Sequence, residues 1–496
     1  MNKRILLIAF YNQKALGVKY ISETLKRAGY DPHVLFLKGY NSKKPSEVSD
    51  TELSLLKQLI SKIDPGCIAL SVMSSLYLRE IIKVNDHIRK ASSCPVIWGG
   101  VYCTLFPERC LEHADYVIRG EGEEAIVELL DALIAGRDPS DVQNLAYRKN
   151  DTVIINPLRP LIQDLDSLGY PGIGQDNVYF INGDKLTEKD PIINSLTYET
   201  TASRGCPFAC SYCSSINLKR LYVGKGKFVR FRSVDNVMQE LKEAKEKIKR
   251  LKLIHFWDEI FTDDIDWIEE FKVRYRKEVG IPFTIWGHPL RIGEETIKNL
   301  VDAGLYHIVV GIQSGSARVR KEIFHRAETQ EQIIDASRII SKCKVPVVSY
   351  DFILQHPFES VDDLKETFEL CLKLEPPFDL NLHGLYFLPG TDIVDMAISE
   401  GLFSHDYMER KMYGSIQEQY DIYWGVGSGK LDEARLWSAL IYMTQFRSLR
   451  PFLRKIAERL DEGSRKKGEA VLLLKEVCSN VASARKIWNK AKLLIS

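Results

Sequence analysis

Three closely spaced cysteines are the residues in this sequence best suited to chemistry. Cys206, Cys210 and Cys213 lie within "CPFACSYC", separated by three residues and then by two. Tetrahedral zinc bound by four cysteines normally uses two separated C-x-x-C pairs, and the sequence has no second pair. A redox C-x-x-C would leave Cys206 without a role. Iron–sulfur clusters take cysteine thiolates, so the spacing favours a [4Fe–4S] cluster on which one iron keeps an open site.

The composition is typical of a globular protein of two or three domains. Of 496 residues, 45% are hydrophobic and 27% charged. The net charge of +1 gives no global argument for a nucleic-acid or anionic-membrane partner. The N-terminal apolar run is too short for a signal peptide and indicates a buried strand, and no run approaches the ~20 residues of a membrane span. The other cysteines lie singly, which favours a reducing cytoplasm over a disulfide framework: Cys67, Cys94, Cys103, Cys110, Cys343, Cys371 and Cys478.

The chain divides by its secondary-structure pattern. Residues 1–140 alternate short apolar runs such as "RILLIAF" and "PVIWGG" with amphipathic helical stretches, which predicts a Rossmann-like parallel sheet. Residues 141–192 are rich in Pro, Gly and Asp and are interpreted as a linker segment or an ordered crossing segment. Residues 193–402 hold six strand–helix units, which predicts a partial (β/α)6 barrel with its chemistry at the carboxyl ends of the strands. Residues 403–496 form a predicted helical C-terminal domain, and its basic residues are most simply a solvated face.

"CPFACSYC" resembles the C-x-x-x-C-x-x-C loop of the radical S-adenosylmethionine (SAM) enzymes. The resemblance extends over residues 193–402. It implies that the open iron chelates the amino and carboxylate groups of SAM, and that reductive cleavage yields methionine and a 5′-deoxyadenosyl radical. It also implies that Tyr212 contacts the adenine.

Later strands resemble the same family. "HFWDEIFTDD" implies that Asp258 and Glu259 meet the SAM amino group, whereas Asp263 or Asp264 suits the N-cap of the next helix. "VVGIQSGSARVRKEIFHR" places Gln313 and Ser314 near the ribose or methionine moiety. Arg326 ends this stretch and either pairs with the SAM carboxylate or is an ordinary helix-face arginine. In "DFILQHPFES", Gln355 and His356 stand where the family normally has a glycine, which predicts altered backbone geometry there.

The N-terminal part resembles the cobalamin-binding domain attached to one class of radical SAM enzymes. The matching segments are "LGVKYISETLKRAGY", "IALSVMSS", "VIWGG" and "YVIRGEGEEAIVELLDAL". The domain lacks D-x-H-x-x-G, so we expect no histidine from it on cobalt. The resemblance implies a set of cobalamin-contacting residues: Gly17, Ser71, Ser74, Ser75, Gly99, Gly100, Tyr102, Gly120, Glu121 and Gly122.

The combined resemblance implies a cobalamin-dependent radical SAM methyltransferase with a [4Fe–4S] cluster, SAM and cobalamin as cofactors. It would methylate an unactivated carbon by way of methylcobalamin. Radical cyclisation, oxidation or rearrangement with the same cofactors is the alternative, and a non-catalytic cobalamin or cluster sensor is a remote one. A tRNA substrate is disfavoured because no appended basic domain is evident.

The substrate, a small molecule or a lipid, is not specified by any motif. We expect an external electron donor such as flavodoxin or ferredoxin, no nucleic-acid partner and no transmembrane segment. Four aromatic residues near strand ends are candidates for an apolar substrate pocket or for core packing: Trp257, Trp286, Tyr350 and Tyr386.

Overall fold

The computed structural model of the chain describes residues 1–39, 41, 46–261, 264–426, 432–460 and 465–495. Its strands are β1 (Arg4–Phe10), β2 (Asp31–Leu37), β3 (Cys67–Ser71), β4 (Val96–Gly99), β5 (Tyr116–Ile118), β6 (Leu145–Lys149), β7 (Thr152–Ile155), β8 (Val178–Asn182), β9 (Lys185–Thr187), β10 (Thr197–Thr200), β11 (Ser203–Arg204), β12 (Arg230–Phe231), β13 (Leu253–Phe256), β14 (Phe283–Gly287), β15 (Leu305–Gln313), β16 (Val347–Ile353) and β17 (Asp379–His383).

The α-helices lie between the strands and, after β17, follow one another. They are α1 (Leu16–Arg27), α2 (Asp50–Ile63), α3 (Leu78–Ala91), α4 (Val101–Leu105), α5 (Pro107–Cys110), α6 (Glu123–Ile134), α7 (Ser214–Leu221), α8 (Val234–Lys247), α9 (Ile265–Glu278), α10 (Glu294–Ala303), α11 (Gln330–Lys342), α12 (Val361–Lys373), α13 (Asp392–Ser399), α14 (His405–Met412), α15 (Ile416–Trp424), α16 (Glu433–Met443), α17 (Arg450–Leu460) and α18 (Arg465–Ile495). None of the helices described is long and apolar enough to cross a membrane.

The first sheet has the order β7-β6-β5-β4-β3-β1-β2-β8-β9, and its central strands are parallel. Its central strands are apolar on both faces, because alternate residues of β1 enter two different hydrophobic clusters. Helices therefore cover both faces, and the predicted Rossmann-like sheet is confirmed.

The segment 141–192 differs from the linker that the sequence predicts. It contributes β6, β7, β8 and β9 to the edges of the first sheet. The β6–β7 hairpin turns at Asn150 and Asp151, both with positive φ, and the β8–β9 turn contains Gly183, also with positive φ. Such residues are the usual ones for two-residue hairpins, and the sequence analysis interpreted the Pro, Gly and Asp content of this segment as a linker.

The second sheet has the order β10-β13-β14-β15-β16-β17, with parallel pairing throughout. Strands adjacent in this sheet follow one another along the chain, with helices on the outside, which confirms the predicted partial barrel. The outward residues of these strands, such as Ile254, Ile308 and Tyr350, are buried in one core with the helices. Capping boxes start two of those helices, with Thr329 before α11 and Ser360 before α12.

The C-terminal helices take two positions. Helix α15 lies at the carboxyl end of β17, where Gly384 donates a hydrogen bond to Tyr423 (2.9 Å) and Gln419 meets Tyr386. Helix α18 lies at the opposite end of the barrel, because Arg485 pairs with Asp379 at the start of β17. Only the first group is near the catalytic edge of the barrel.

Candidate functional site

The cysteine loop follows β11 and is fixed by its backbone. Gly205 has φ +95°, and a Cβ there would lie 2.2 Å from the carbonyl oxygen of Phe228, so only glycine fits. Ser211, fully buried, donates from its hydroxyl to Ile323 (2.5 Å) and from its amide to Phe324 (3.2 Å). These contacts tie the loop to the segment that follows β15.

The three cysteine thiols lie close enough to influence one another's ionisation. Burial, more than any other cause, raises the pKa of Cys206 to about 11 and that of Cys213 to about 12, and the Glu259 carboxylate adds to both shifts. The Cys206 and Cys213 thiols are therefore protonated until metal displaces their protons. In the described part of the chain, no three His, Cys, Asp or Glu side chains converge as ligands of one ion would.

Arg326 is the side chain that joins the cysteine loop to the barrel. It is buried, and its guanidinium contacts the Cys210 Sγ (3.8 Å), the Tyr212 hydroxyl (3.4 Å) and the carbonyl of Gly311 (2.7 Å). Its Nε donates to Glu328 at 2.6 Å. Arg326 is thus a loop-positioning residue in this arrangement, and its predicted pairing with the SAM carboxylate stays a prediction.

Two buried residues beside this network were missed by sequence reasoning. Glu328 forms the ion pair with Arg326, and its other oxygen lies 3.6 Å from the imidazole of His288. The His288 ring stacks on Phe208 of the cysteine loop with 3.7 Å between centroids. Burial lowers the pKa of His288 to about 2, so the ring is neutral and acts as a packing surface. The signal in the sequence was weak, because neither residue lies in a cysteine-containing motif.

The two acids after β13 have different environments. Asp258 is buried and accepts hydrogen bonds from the amide of Ala202 (3.0 Å) and from the Ser203 hydroxyl. Burial raises its pKa to about 6. Glu259 has an exposed surface, but the protein around its carboxyl group excludes part of the solvent. This desolvation raises the pKa of Glu259. Of the two predicted SAM-ammonium contacts, Glu259 is the one whose carboxylate is open toward the cysteines.

Asp264 caps α9 by accepting a hydrogen bond from the amide of Trp267 at 3.1 Å. This is the helix-capping role that the sequence favoured for Asp263 or Asp264. Asp263 lies outside the described residues.

The residues predicted near the ribose or methionine moiety lie at the end of β15. Gln313 has φ +70° and follows a register shift in the sheet. Ser314 is fully buried, its hydroxyl accepts from the amide of Ser316 (3.1 Å), and its carbonyl accepts from Arg320 (2.8 Å). Ser314 therefore shapes the turn, and Gln313 is the more accessible of the pair.

Two further residues of this region lie behind the loop. Gln355 has φ +57°, a conformation that the glycine of related sequences adopts easily. His356 is buried against the Phe324 ring at 5.0 Å between centroids. The Phe324 ring also meets the Tyr212 ring edge-on, with 5.0 Å between centroids. His356 therefore packs behind the cysteine loop through Phe324.

The predicted cobalamin residues occupy the carboxyl edge of the first sheet. Ser71 and Gly99 end β3 and β4, Gly100 follows with φ +121°, and Gly17 in α1 faces open space. Met73, directly after β3, is 59% exposed. Bare backbone and an exposed apolar side chain fit the flat face of a corrin.

Other residues of the predicted cobalamin set are engaged by the protein itself. Ser74 caps the short turn before α3, and Ser75 contacts the Tyr386 hydroxyl at 3.3 Å. Tyr102 is 3% exposed and donates to Tyr413 at 3.1 Å. Their backbones line the edge, whereas the side chains of Ser75 and Tyr102 join the sheet to the segment after β17.

The Gly120–Gly122 turn connects the first sheet to the cysteine loop. Glu121 accepts from Arg204, directly before the loop, at 3.1 Å and from Arg230 at 2.9 Å. A Cβ on Gly120 would lie 1.7 Å from the Tyr222 hydroxyl, so the turn packs against the segment after α7. Gly122 leads into α6. The carboxylate of Glu121 thus joins the first sheet to the β11–β12 pair, whose two strands flank the cysteine loop and α7.

The inner face of the barrel carries polar side chains that sequence reasoning did not identify as a group. We name these residues the inner polar set; two pairs are His307 with Ser349 (2.9 Å) and Asp351 with Asn381 (2.8 Å). Burial lowers the pKa of His255 and of His307 to about 4, so both are neutral at pH 7. The set comprises Glu199, His255, Thr284, His307, Ser349, Asp351, Asn381 and His383.

The inner polar set is incompletely paired. Thr284 Oγ1, His255 Nδ1 and His383 Nδ1 have no hydrogen-bond partner. A complete (β/α)8 barrel normally fills its interior with branched apolar side chains. The Trp257 and Trp286 rings stack with 4.3 Å between centroids at the ends of β13 and β14. We name this polar interior, with the aromatic pair at its rim, the chamber; Tyr350 belongs to the core.

Comparison with known families agrees with this geometry. Residues 200–371 match the Radical SAM superfamily, and residues 5–130 match the B12 binding domain. The first match contains the cysteine loop and the strands β13–β16, and the second contains the carboxyl edge formed by β1–β5.

Several known proteins resemble the chain over most of its length. It is 28% identical to the uncharacterized methyltransferase PH0819 of Pyrococcus horikoshii over 360 residues, 71% of this chain and 74% of that protein. It is 26% identical to the anaerobic magnesium-protoporphyrin IX monomethyl ester cyclase of Cereibacter sphaeroides, over 72% of this chain and 56% of that enzyme. The fold is shared with the cobalamin-dependent S-adenosylmethionine radical enzyme OxsB with aqua-cobalamin and SAM bound (TM-score 0.64, 16% identity, 98% of this chain and 72% of that one).

The two family matches, with the B12 binding domain before the radical SAM domain along the chain, assign the cofactors. The radical SAM part implies a [4Fe–4S] cluster and SAM, and the B12 part implies cobalamin. The three thiols fit the cluster, and the carboxyl edge of the first sheet fits the corrin. The chain therefore belongs to the cobalamin-binding radical SAM enzymes.

Proposed function

We propose that this enzyme transfers a methyl group from SAM, by way of cobalamin, to an unactivated carbon of a small-molecule or lipid substrate. When bound, the cluster and SAM supply a 5′-deoxyadenosyl radical, and cobalamin supplies the methyl group. An external one-electron donor such as flavodoxin or ferredoxin would reduce the centre. The methyltransferase name of the Pyrococcus horikoshii relative supports this choice.

The observation that carries the proposal is that the carboxyl edges of the two sheets meet. Lys14, after β1, reaches Glu199 of β10 at 3.0 Å. On the other side, Arg204 bridges to Glu121 and to Glu123 (2.7 Å). Methyl transfer needs cobalt, SAM and substrate held close together, and this meeting of edges supports the proposal.

Each group of residues has a role in this proposal. Cys206, Cys210 and Cys213 hold the cluster, and Glu259 accepts the SAM ammonium group. Arg326 holds the cysteine loop against the barrel through its contacts with Cys210, Tyr212 and Gly311. The substrate enters the barrel, where the neutral imidazoles and Asp351 offer hydrogen bonds. A substrate with a polar group and a flat or apolar portion suits this chamber, because Trp257 and Trp286 form its rim.

The proposal is tested without knowing the substrate. The anaerobically reconstituted enzyme is given a reductant and SAM, with or without cobalamin. We expect 5′-deoxyadenosine in both reactions and S-adenosylhomocysteine only where cobalamin is present. Formation of 5′-deoxyadenosine without any cobalamin-dependent S-adenosylhomocysteine would overturn methyl transfer. It would favour radical cyclisation or rearrangement, the chemistry that the cyclase name of the Cereibacter sphaeroides relative suggests.

A pair of variants separates the two cofactor sites. Glu259→Gln should lower 5′-deoxyadenosine formation, whereas Met73→Glu should lower cobalamin retention and S-adenosylhomocysteine only. Val273→Glu is the matched control, because Val273 is an exposed apolar residue on α9. Loss of both products in Met73→Glu with native cluster absorbance would place cobalamin elsewhere. Absence of both products from the wild-type enzyme would favour a sensor.

A further inference from the structure

Helix α18 has two apolar faces, and only one of them packs on the barrel. Val471, Cys478, Ala482 and Leu493 are buried. The same side of the helix is fixed by Tyr306, which donates to the carbonyl of Asn489 at 3.1 Å. Tyr306 is the second residue of β15, and Asp379, the partner of Arg485, begins β17. The helix therefore lies at the end of the barrel away from the cysteine loop.

The second apolar face of α18 is open to solvent. Five large apolar side chains along it are between 54% and 70% exposed: Leu473, Val477, Val481, Ile487 and Trp488. Single exposed apolar residues are ordinary on a protein surface, but a continuous stripe indicates a contact surface.

The exposed stripe follows a seven-residue repeat. The first positions of the repeat (a) are Ala470, Val477, Ala484 and Ala491. The fourth positions (d) are Leu473, Asn480 and Ile487. The fifth positions (e) are Leu474, Val481 and Trp488. The positions that precede each first position (g) are Glu469, Glu476, Ser483 and Lys490. Apart from Asn480, the first and fourth positions are apolar, and with charged flanks this is the pattern of a coiled-coil seam. The buried residues of α18 occupy the other positions.

We propose that this face binds a second copy of the chain, with the two α18 helices antiparallel about a two-fold axis. In this register Val477 packs against Ile487 of the other copy, Leu473 against Ala491, and Val481 against its own equivalent. The small residues Ser483 and Ala484 lie at the centre, where the helices approach most closely. Each contact between different residues occurs twice, and the contact of Val481 with its own equivalent occurs once on the axis, as a two-fold interface requires.

The charges favour this orientation. In the antiparallel register, Glu476 of each copy lies opposite Lys490 of the other, and both are exposed. In a parallel pairing, Glu476 would face Val481 instead and no opposite charge would meet it. Acidic residues therefore flank the first half of the stripe and Lys490 flanks the second, which makes the surface complementary to itself.

The pairing leaves the catalytic edge accessible, because α18 lies at the other end of the barrel. The repeat spans about 24 residues, or about 36 Å of helix. A single helix pair is a small interface, so we expect a reversible dimer with a dissociation constant in the micromolar range.

Sedimentation equilibrium of the purified full-length protein across the micromolar range tests the proposal. The wild type should form a dimer. Glu476→Lys and Lys490→Glu should each weaken association about tenfold or more, because two attractive contacts become repulsive. An equimolar mixture of the two variants should restore association, since every cross-pair is then again Glu opposite Lys. Val477→Asp should give a monomer.

Glu269→Lys is the matched control, because it reverses an exposed charge on α9 and should leave the dimer unchanged. Circular dichroism and cluster absorbance check that each variant is folded. A monomeric wild type overturns the proposal, as does a dimer that withstands Val477→Asp or a mixture that does not recover. Binding of a monomeric wild type to phosphatidylglycerol vesicles, lost in Val477→Asp, would overturn it in favour of a membrane surface.

Discussion

The two large sheets of this protein differ in the side chains that they carry on their two faces. In the first sheet, alternate residues of β1 are buried on both sides, with Ile5 and Leu7 in one cluster and Leu6 and Ile8 in the other. In the barrel sheet the outward residues are equally apolar, but the inward ones form the inner polar set. The first sheet is a platform that is packed on both faces and offers only its edge, whereas the second has the polar interior named the chamber.

The difference implies that stability and ligand binding reside in different places. Side chains that fill a core gain free energy from burial and close packing. Buried polar atoms without partners, such as Thr284 Oγ1 and His255 Nδ1, contribute none until a ligand or water pairs with them. Substitutions in the platform should therefore lower stability, whereas substitutions in the chamber should mainly affect function.

The largest effect is expected at the cysteine loop, where the two regions meet. Cys206→Ala, Cys210→Ala or Cys213→Ala should each abolish the cluster absorbance and all SAM cleavage, because each removes one of the three thiolates. Anaerobic reconstitution followed by dithionite and SAM measures both. Cys343→Ala and Cys371→Ala are controls that should keep the cluster, and full activity in any of the three loop variants would refute the ligand assignment.

Trp98→Ala tests the platform. Trp98 is fully buried in β4, and its ring nitrogen donates to Asn85 at 3.1 Å. Its removal should lower the free energy of unfolding by about 3–5 kcal/mol through lost burial and a cavity. Urea unfolding followed by far-ultraviolet circular dichroism is the measurement. Val273→Ala, at an exposed position, should change the value by less than about 0.5 kcal/mol.

Asp363 should make the free energy of unfolding depend on pH. Burial acts to raise the pKa of this carboxyl, but hydrogen bonds from Arg318, Ser316 and Ser360 outweigh it and hold the pKa below the usual value. A lowered folded-state pKa adds stability above the unfolded pKa, and this is lost as pH falls through the folded one. Asp363→Asn should cost about 2 kcal/mol at pH 7.

The cost of Asp363→Asn should shrink as the pH is lowered below about 4, the ordinary carboxyl pKa. Urea unfolding of both proteins at several pH values gives the difference directly. Glu269→Gln, at an exposed position, is the control. A difference between wild type and Asp363→Asn that stays constant down to acid pH would contradict the role of the charge.

The smallest effect on stability is expected inside the chamber. His255→Leu removes a neutral ring with one unpaired nitrogen, so the free energy of unfolding should change by less than about 1 kcal/mol. The same urea experiment measures it beside Trp98→Ala. A loss as large as that of Trp98→Ala would show that the inner polar set is structural core, and the comparison between the two sheets would fail.

Much of the fold could be predicted from sequence because its signals are local. Apolar runs of four to nine residues alternating with amphipathic helices indicated both sheets, and "CPFACSYC" indicated the cluster. The β6–β7 and β8–β9 hairpins were missed, since a turn at Asn150 and Asp151 uses the residues that also mark a linker. The partners of Glu121 and Ser211 could not be predicted, because they come from distant parts of the chain.

The sequence by itself determined the local facts: three thiols within eight residues, the parallel strands and the glycines at their carboxyl ends. Spacing along the chain encodes these directly. Only the tertiary structure decided which groups meet, such as Arg326 with Cys210 and Arg204 with Glu121. It also decided that His255, His307 and His383 face one interior, because the side of a strand that becomes the inside depends on how the whole sheet curls and packs.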